Sequence, residues 1–296
     1  VSVVTSLVFL VSVLRIGVPY VLAALGGTAS ERGGVVNIAL EGMLLTGAFG
    51  YVLAAHLTGS PWLGLLGGLL GGELVALLLI VAVVRLRADA IVTGVALNLL
   101  AAAGTRFCLK LIWDSSSNSG RVEGFPTAPG ALGGLLLQPV FLLTLALVGL
   151  APLLLFRTRF GLRLRACGEH PEAAASQGVS VARTRSAGVL LSGLLAGLGG
   201  VWLAAEQHQF SDGMSAGRGY IALAAMITGK WHPLGAAAAC LLFAGAEAAQ
   251  IALQGQGTGI PSQLLQMLPH VLTLVTLVGF IGRSRAPAAL GQVDRG

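Results

Sequence analysis

Residues 62–84 read WLGLLGGLLGGELVALLLIVAVV, 23 positions in which Glu73 is the one charge. The run has no polar face and no period-2 alternation. About 20 apolar residues, rising about 1.5 Å each, cross the roughly 30 Å hydrocarbon core of a bilayer, so this stretch predicts a spanning helix. Comparable runs occupy 1–27, 35–56, 90–112, 138–156, 186–205, 233–254 and 266–282, and a shorter apolar piece lies near 219–230. They are continuous and rich in Leu and Ala, which excludes a membrane barrel. The predicted class is all-α: a polytopic transmembrane helical bundle of about eight spans with broken or re-entrant half-helices.

Composition agrees. Of 296 residues, 55% are hydrophobic and 10% charged, with a mean hydropathy of +0.85. Soluble domains carry about 25% charged residues, so a soluble enzyme is excluded, and disorder would require low hydrophobicity. Cys108, Cys167 and Cys240 are widely spaced and odd in number, giving neither a disulfide framework nor a metal site. No basic stretch precedes the first apolar run, which favours a retained anchor over a cleaved signal peptide. The net charge of +6 reads as positive cytoplasmic loops rather than a nucleic-acid surface.

Charge placement orients the bundle. Arg157, Arg159, Arg163, Arg165, Arg183 and Arg185 fall in one loop, 157–185, while Arg85 and Arg87 follow the third run and Arg283 and Arg285 the last. Placing all three regions in the cytoplasm puts 113–137, with Pro126 and Pro129, outside. The piece 219–230 then enters as a half-helix, turns at Trp231-His232-Pro233, and 233–254 returns outward. Such a break at membrane depth is tolerated where protein or a wet cavity surrounds it. Counting puts the first run's start outside. The permease domain is assigned to 1–285 and a disordered tail to 286–296.

Gly64, Gly68, Gly72 and Ala76 form a line of small residues at helical spacing, as do Gly193 and Gly197. Such lines let membrane helices approach closely. Glu41, Glu73, Glu247, Asn37, Asn98 and Gln250 interrupt apolar runs. Polar groups at that depth face a bundle interior or a cavity and mark pathways, or they cap broken helices. Asn37, Glu41 and Asn98 are the candidates for lining a substrate path. The stretch Glu31-Arg32-Gly33-Gly34-Val35-Val36-Asn37-Ile38-Ala39-Leu40-Glu41-Gly42 offers a glycine-flanked helix start suited to a polar ligand. Ala216-Gly217-Arg218-Gly219-Tyr220-Ile221-Ala222-Leu223 has the same character, which hints at an internal repeat.

Gly213-Met214-Ser215-Ala216-Gly217 matches G-x-S-x-G, but a nucleophile elbow needs a strand before it and none is predicted; no catalytic residue is assigned. No G-x-x-x-x-G-K-[ST] occurs, so any ATP binds another chain. In the basic loop, Pro171, Glu172 and the following alanines give a short helix ended by Gly178. About two turns of helix are unstable alone in water, so this one docks on its own bundle or on a partner.

Three motifs, Glu31–Met43, Gly168–Val179 and Gly217–Pro233, resemble in order and loop placement the permease subunits of bacterial ATP-binding-cassette importers. The family is that of branched-chain amino acid and simple-sugar permeases, on its nucleoside branch, whose members work with a basic-membrane-protein-like lipoprotein. The resemblance implies that Gly168, Glu169, His170, Pro171, Glu172, Ala173, Ala174 and Gly178 form a coupling helix seated in a cytoplasmic ATPase, which holds the ATP and magnesium. His170 departs from the family's usual Asn. The resemblance also implies a bacterial plasma-membrane location, a related second permease chain, an external binding lipoprotein and a small polar substrate. That substrate is a nucleoside, with a ribose-type sugar as the alternative. Rivals of other classes are an ion-coupled secondary transporter and an intramembrane hydrolase at Ser215.

Overall fold

The computed structural model describes residues 7–126, 130–255, 262–279 and 286–292. Helices account for most of them: α1 Leu7–Arg32, α2 Leu40–Thr58, α3 Pro61–Leu79, α4 Ala90–Trp113, α5 Ala131–Leu136, α6 Pro139–Arg157, α7 Arg159–Glu169, α8 Pro171–Ser176, α9 Val181–Gln207, α10 Arg218–Thr228, α11 Pro233–Gly255, α12 Ser262–Gln266 and α13 Leu268–Gly279. A π-helical turn, Ile80–Arg85, continues α3. Among the described residues seven helices are long and apolar enough to cross a membrane. The eighth expected run, 266–282, is described as the 12-residue α13, and its end, with Arg283 and Arg285, lies outside the described residues, as do residues 1–6 and Pro129.

Local chemistry sets the boundaries. Gly34, at φ +93°, turns the chain after α1, because that left-handed conformation is open to glycine without steric cost. Residues 35–39 are not α-helical, so α1 runs past the expected 27 while α2 starts at 40 rather than 35. Asp89 Oδ1 accepts the Ile91 and Val92 N–H groups (both 2.9 Å) and caps α4. Prolines open α3, α6, α8 and α11, a position where the missing N–H is no loss.

The glycine lines act as helix contacts. A methyl group on Gly72 would overlap the backbone of Gly193 and Gly197, and one on Gly47 would overlap Gly197. Thus α2, α3 and α9 meet backbone to backbone, and α9 is the most enclosed spanning helix. The outer faces of α3 and α4 carry exposed Leu70, Leu74, Leu99 and Phe107, as a lipid boundary requires.

Two expectations are corrected. The basic loop does not reach 185: α9 begins at Val181, so Arg183 and Arg185 are helical, and Arg185 is buried. Ser215 lies, as expected, in a non-helical segment before α10, and it is buried there. Of the tail expected to be disordered over 286–296, residues 286–292 are docked on the bundle, with Ala289 buried; 293–296 lie outside the described residues.

Candidate functional site

Helix α10 has 11 residues, about 16 Å at 1.5 Å each, so it covers half the hydrocarbon core and starts inside the bundle. Its first N–H groups are met by Glu41 in the first turn of α2. Gly217 donates to Glu41 Oε1 (2.8 Å) and Gly219 to Oε2 (2.7 Å). A carboxylate on helix-start N–H groups satisfies otherwise orphaned donors and complements the dipole. Gly219 is required by this approach, since a methyl there would overlap the Glu41 backbone.

Asn98 on α4 closes the same cluster. Its Oδ1 accepts the Gly42 N–H (2.8 Å), and its Nδ2 donates to the Ile38 carbonyl (2.9 Å) and the Tyr220 hydroxyl (3.0 Å). Tyr220 remains 47% exposed. Two turns further along α4, Arg106 pairs with Asp212 in the segment before α10, with its Nε 2.9 Å from the carboxylate. Positions 98, 102 and 106 share one helix face, and Ala102 between them is exposed. Glu41, Tyr220, Asn98, Arg106 and Asp212 therefore form a polar lane between α4 and the α10 entrance. The Arg106 side chain is 64% accessible, about 10 Å inside the end of its helix. A cation so placed faces water or protein rather than lipid.

Asn37 is not part of this lane. It is fully buried and donates to Ser192 Oγ of α9 (2.7 Å), and its Oδ1 has no partner among the described residues. Of the three candidates, the structure brings Glu41 and Asn98 to the α10 entrance and sets Asn37 apart from them, against α9. Tyr220, Arg106 and Asp212, which stand beside the first two, were not among the candidates. The signal for Arg106 was present: an arginine within the apolar run 90–112.

Beneath the α10 start sits an ion cluster. Arg218 donates to Glu247 Oε1 of α11 (3.1 Å), and the Tyr20 hydroxyl of α1 donates to the other Glu247 oxygen. The Met214 and Ser215 carbonyls accept from Arg218 as well (3.1 and 3.4 Å). Ser215 therefore sits in an arginine-braced turn, and among the described residues there is no strand that could form a nucleophile elbow.

The basic end of the bundle brings distant motifs together. Trp231 Nε1 donates to Glu31 Oε2 (2.6 Å), and Arg32 Nε donates to the Trp231 carbonyl (2.9 Å). His232 stacks on Phe156 (5.1 Å between centroids), whose ring also receives the Arg165 guanidinium (4.9 Å). Gly168 packs so closely that a methyl there would overlap the Arg32 carbonyl, and Arg185 Nε donates to the Gly33 carbonyl (3.2 Å). From this base α8 projects. Among its residues Ala174 is buried, whereas Glu172, Ala173, Ala175 and Ser176 are exposed, as are Glu169 and His170 before it. Gly178, at φ +77°, ends the helix.

A family model described as branched-chain amino acid transport system / permease component matches residues 9–277. The chain is 41% identical over 292 residues to the guanosine ABC transporter permease protein NupQ of Bacillus subtilis, covering 92% of each chain. It is 42% identical over 303 residues to the nucleoside ABC transporter permease protein NupC of Lactococcus lactis, covering 96% of this chain and 95% of that one. To the putative glucose ABC transporter permease protein TsgC13 of Haloferax volcanii it is 32% identical over 247 residues, covering 79% of this chain and 74% of that one. No solved structure gives a significant match.

Proposed function

The chain belongs to the branched-chain amino acid transport system permease family, and from that premise we propose that it is the membrane subunit of an ATP-driven nucleoside importer in a bacterial plasma membrane. The observation that carries this reading is the 41% and 42% identity, over more than nine-tenths of each chain, to permeases named for guanosine and nucleosides. The polar lane is its structural counterpart. Glu41 and Asn98 fix a polar wall at half depth whose exposed member, Tyr220, offers a hydroxyl and an aromatic face, chemistry that suits a ribose and a base. Asn37 stands outside this wall, buried against Ser192 of α9.

The lane is exposed at Tyr220 and Arg106 on this chain's own surface. A related second permease chain closes it, and the substrate passes between the two after delivery by an external binding lipoprotein. Helix α8 seats in a cytoplasmic ATPase, which binds the ATP and magnesium. Nucleotide-driven closure of the ATPase pair shifts α8, and with it the Gly168–Arg32 contact and the Trp231 clasp that holds the far end of α10. No covalent chemistry falls to this chain.

The test is uptake by proteoliposomes holding the complete transporter. Labelled guanosine is expected to accumulate with ATP, and collapse of ion gradients with ATP retained is expected to leave uptake intact. Preference for ribose would move the chain to the sugar branch, and uptake without ATP would make it a secondary transporter.

A further inference from the structure

Residues 286–292 carry none of the sequence motifs, yet they are tied to three of the segments that form the basic end. Ala289 N–H donates to the Gly168 carbonyl (2.9 Å) and Gly291 N–H to the Gly34 carbonyl (3.0 Å). Ala288 N–H donates to Glu169 Oε2 (3.2 Å), and the Arg185 guanidinium donates to the Gln292 carbonyl (3.3 Å). Pro287 and Ala289 are buried, and Leu290 packs against the apolar core. The segment therefore runs from the turn before α8 to the turn after α1, held mainly by backbone groups. Between it and α8 an open cleft of about 390 Å³ has His170, Glu172 and Ala173 on one wall and Ala288 and Gln292 on the other.

A stable protein–protein contact buries about 800 Å² on each partner. Helix α8 offers six residues of mostly small side chains, too little for such a contact. A lever of under two turns also transmits force only if its base stays fixed, and helices this short do not hold their own shape. The 286–292 segment supplies both missing parts: additional exposed surface beside α8, and a tie on Gly168 and Glu169 at its base.

We propose that residues 286–292 are the second wall of the ATPase seat, so that an element of the ATPase inserts between this segment and α8. The proposal rests on the reading above that α8 docks an ATPase. The test places a photo-crosslinking amino acid at Ala173, at Ala288 or at Leu57 in the assembled transporter. Leu57 lies at the opposite end of the bundle. The ATPase is expected to be captured from 173 and from 288 and not from 57. Capture from 173 without capture from 288 overturns the second wall and leaves the docking reading standing. Absence of capture from both overturns the docking reading itself. In parallel, Ala288→Pro removes the N–H that Glu169 accepts at an exposed position. It is expected to weaken ATPase binding to the purified permease roughly tenfold with unchanged melting of the permease; unchanged affinity counts against the proposal.

Discussion

Glu41 is the residue on which the site turns, because it joins the start of α2 to the start of α10. Its carboxylate accepts two backbone N–H groups, from Gly217 and Gly219, and a hydrogen bond to a charged group contributes about 1.5–3 kcal/mol. Glu41→Ala is therefore expected to destabilise the permease by about 3 kcal/mol, leaving both donors orphaned at membrane depth. Glu41→Gln keeps one acceptor oxygen and should lose about half of that. Thermal melting of the detergent-solubilised protein checks the order wild type, Gln, Ala. Equal melting of wild type and the Ala variant would mean that α10 holds its start without Glu41. At this scale the sequence was partly legible. A glutamate and an asparagine in apolar runs announced buried polar chemistry, but their partners lie 176 to 178 residues away for Glu41 and 122 away where Asn98 meets Tyr220. Periodicity carries no information about such pairings. Asn37 stands near Glu41 in sequence, but the non-helical 35–39 stretch turns it toward Ser192 of α9.

Helix α8 is legible almost to the residue, because its signals are local: Pro171 at the first position, Glu172 in the first turn, Gly178 after the end. Gly178 has open space around the position of an added Cβ, so Gly178→Ala acts through conformation alone; a left-handed residue with a side chain costs about 1–2 kcal/mol. Combined with Glu172→Ala, it is expected to lower uptake per ATP hydrolysed by roughly tenfold, within the 1–3 kcal/mol typical of coupling between sites. Permease abundance in the membrane should not change. Paired uptake and phosphate-release measurements on the reconstituted transporter give the ratio, and an unaltered ratio would argue that force enters elsewhere. The start of α9 was less legible. Arg183 and Arg185 read as loop charges, and the structure instead buries Arg185, whose guanidinium reaches the Gly33 and Gln292 carbonyls. Acceptors contributed by backbone carbonyls leave no trace in the sequence, which is also why the docking of 286–292 has no sequence signal.

For the whole molecule the decisive quantity is sidedness. One end carries Arg157, Arg159, Arg163, Lys230 and the projecting α8; the other carries the 114–126 segment, which meets 208–212 through Ser119, Val122 and Asp212. The excess of arginine predicts that the first end faces the cytoplasm, the side from which an ATPase would reach it. Native Cys167 cannot report on this, since it is fully buried and a thiol reagent would miss it on either side. Exposed positions serve instead. In a Cys108→Ser background, Leu57→Cys, at a site 73% exposed, is expected to react with a membrane-impermeant maleimide on intact cells. Ala173→Cys should react only after permeabilisation. The opposite pattern would put α8 beyond the reach of any nucleotide-driven partner. The Trp231 clasp on Glu31 and the Gly168 contact on Arg32 would then be packing alone, with no force to carry from one end of the bundle to Glu41.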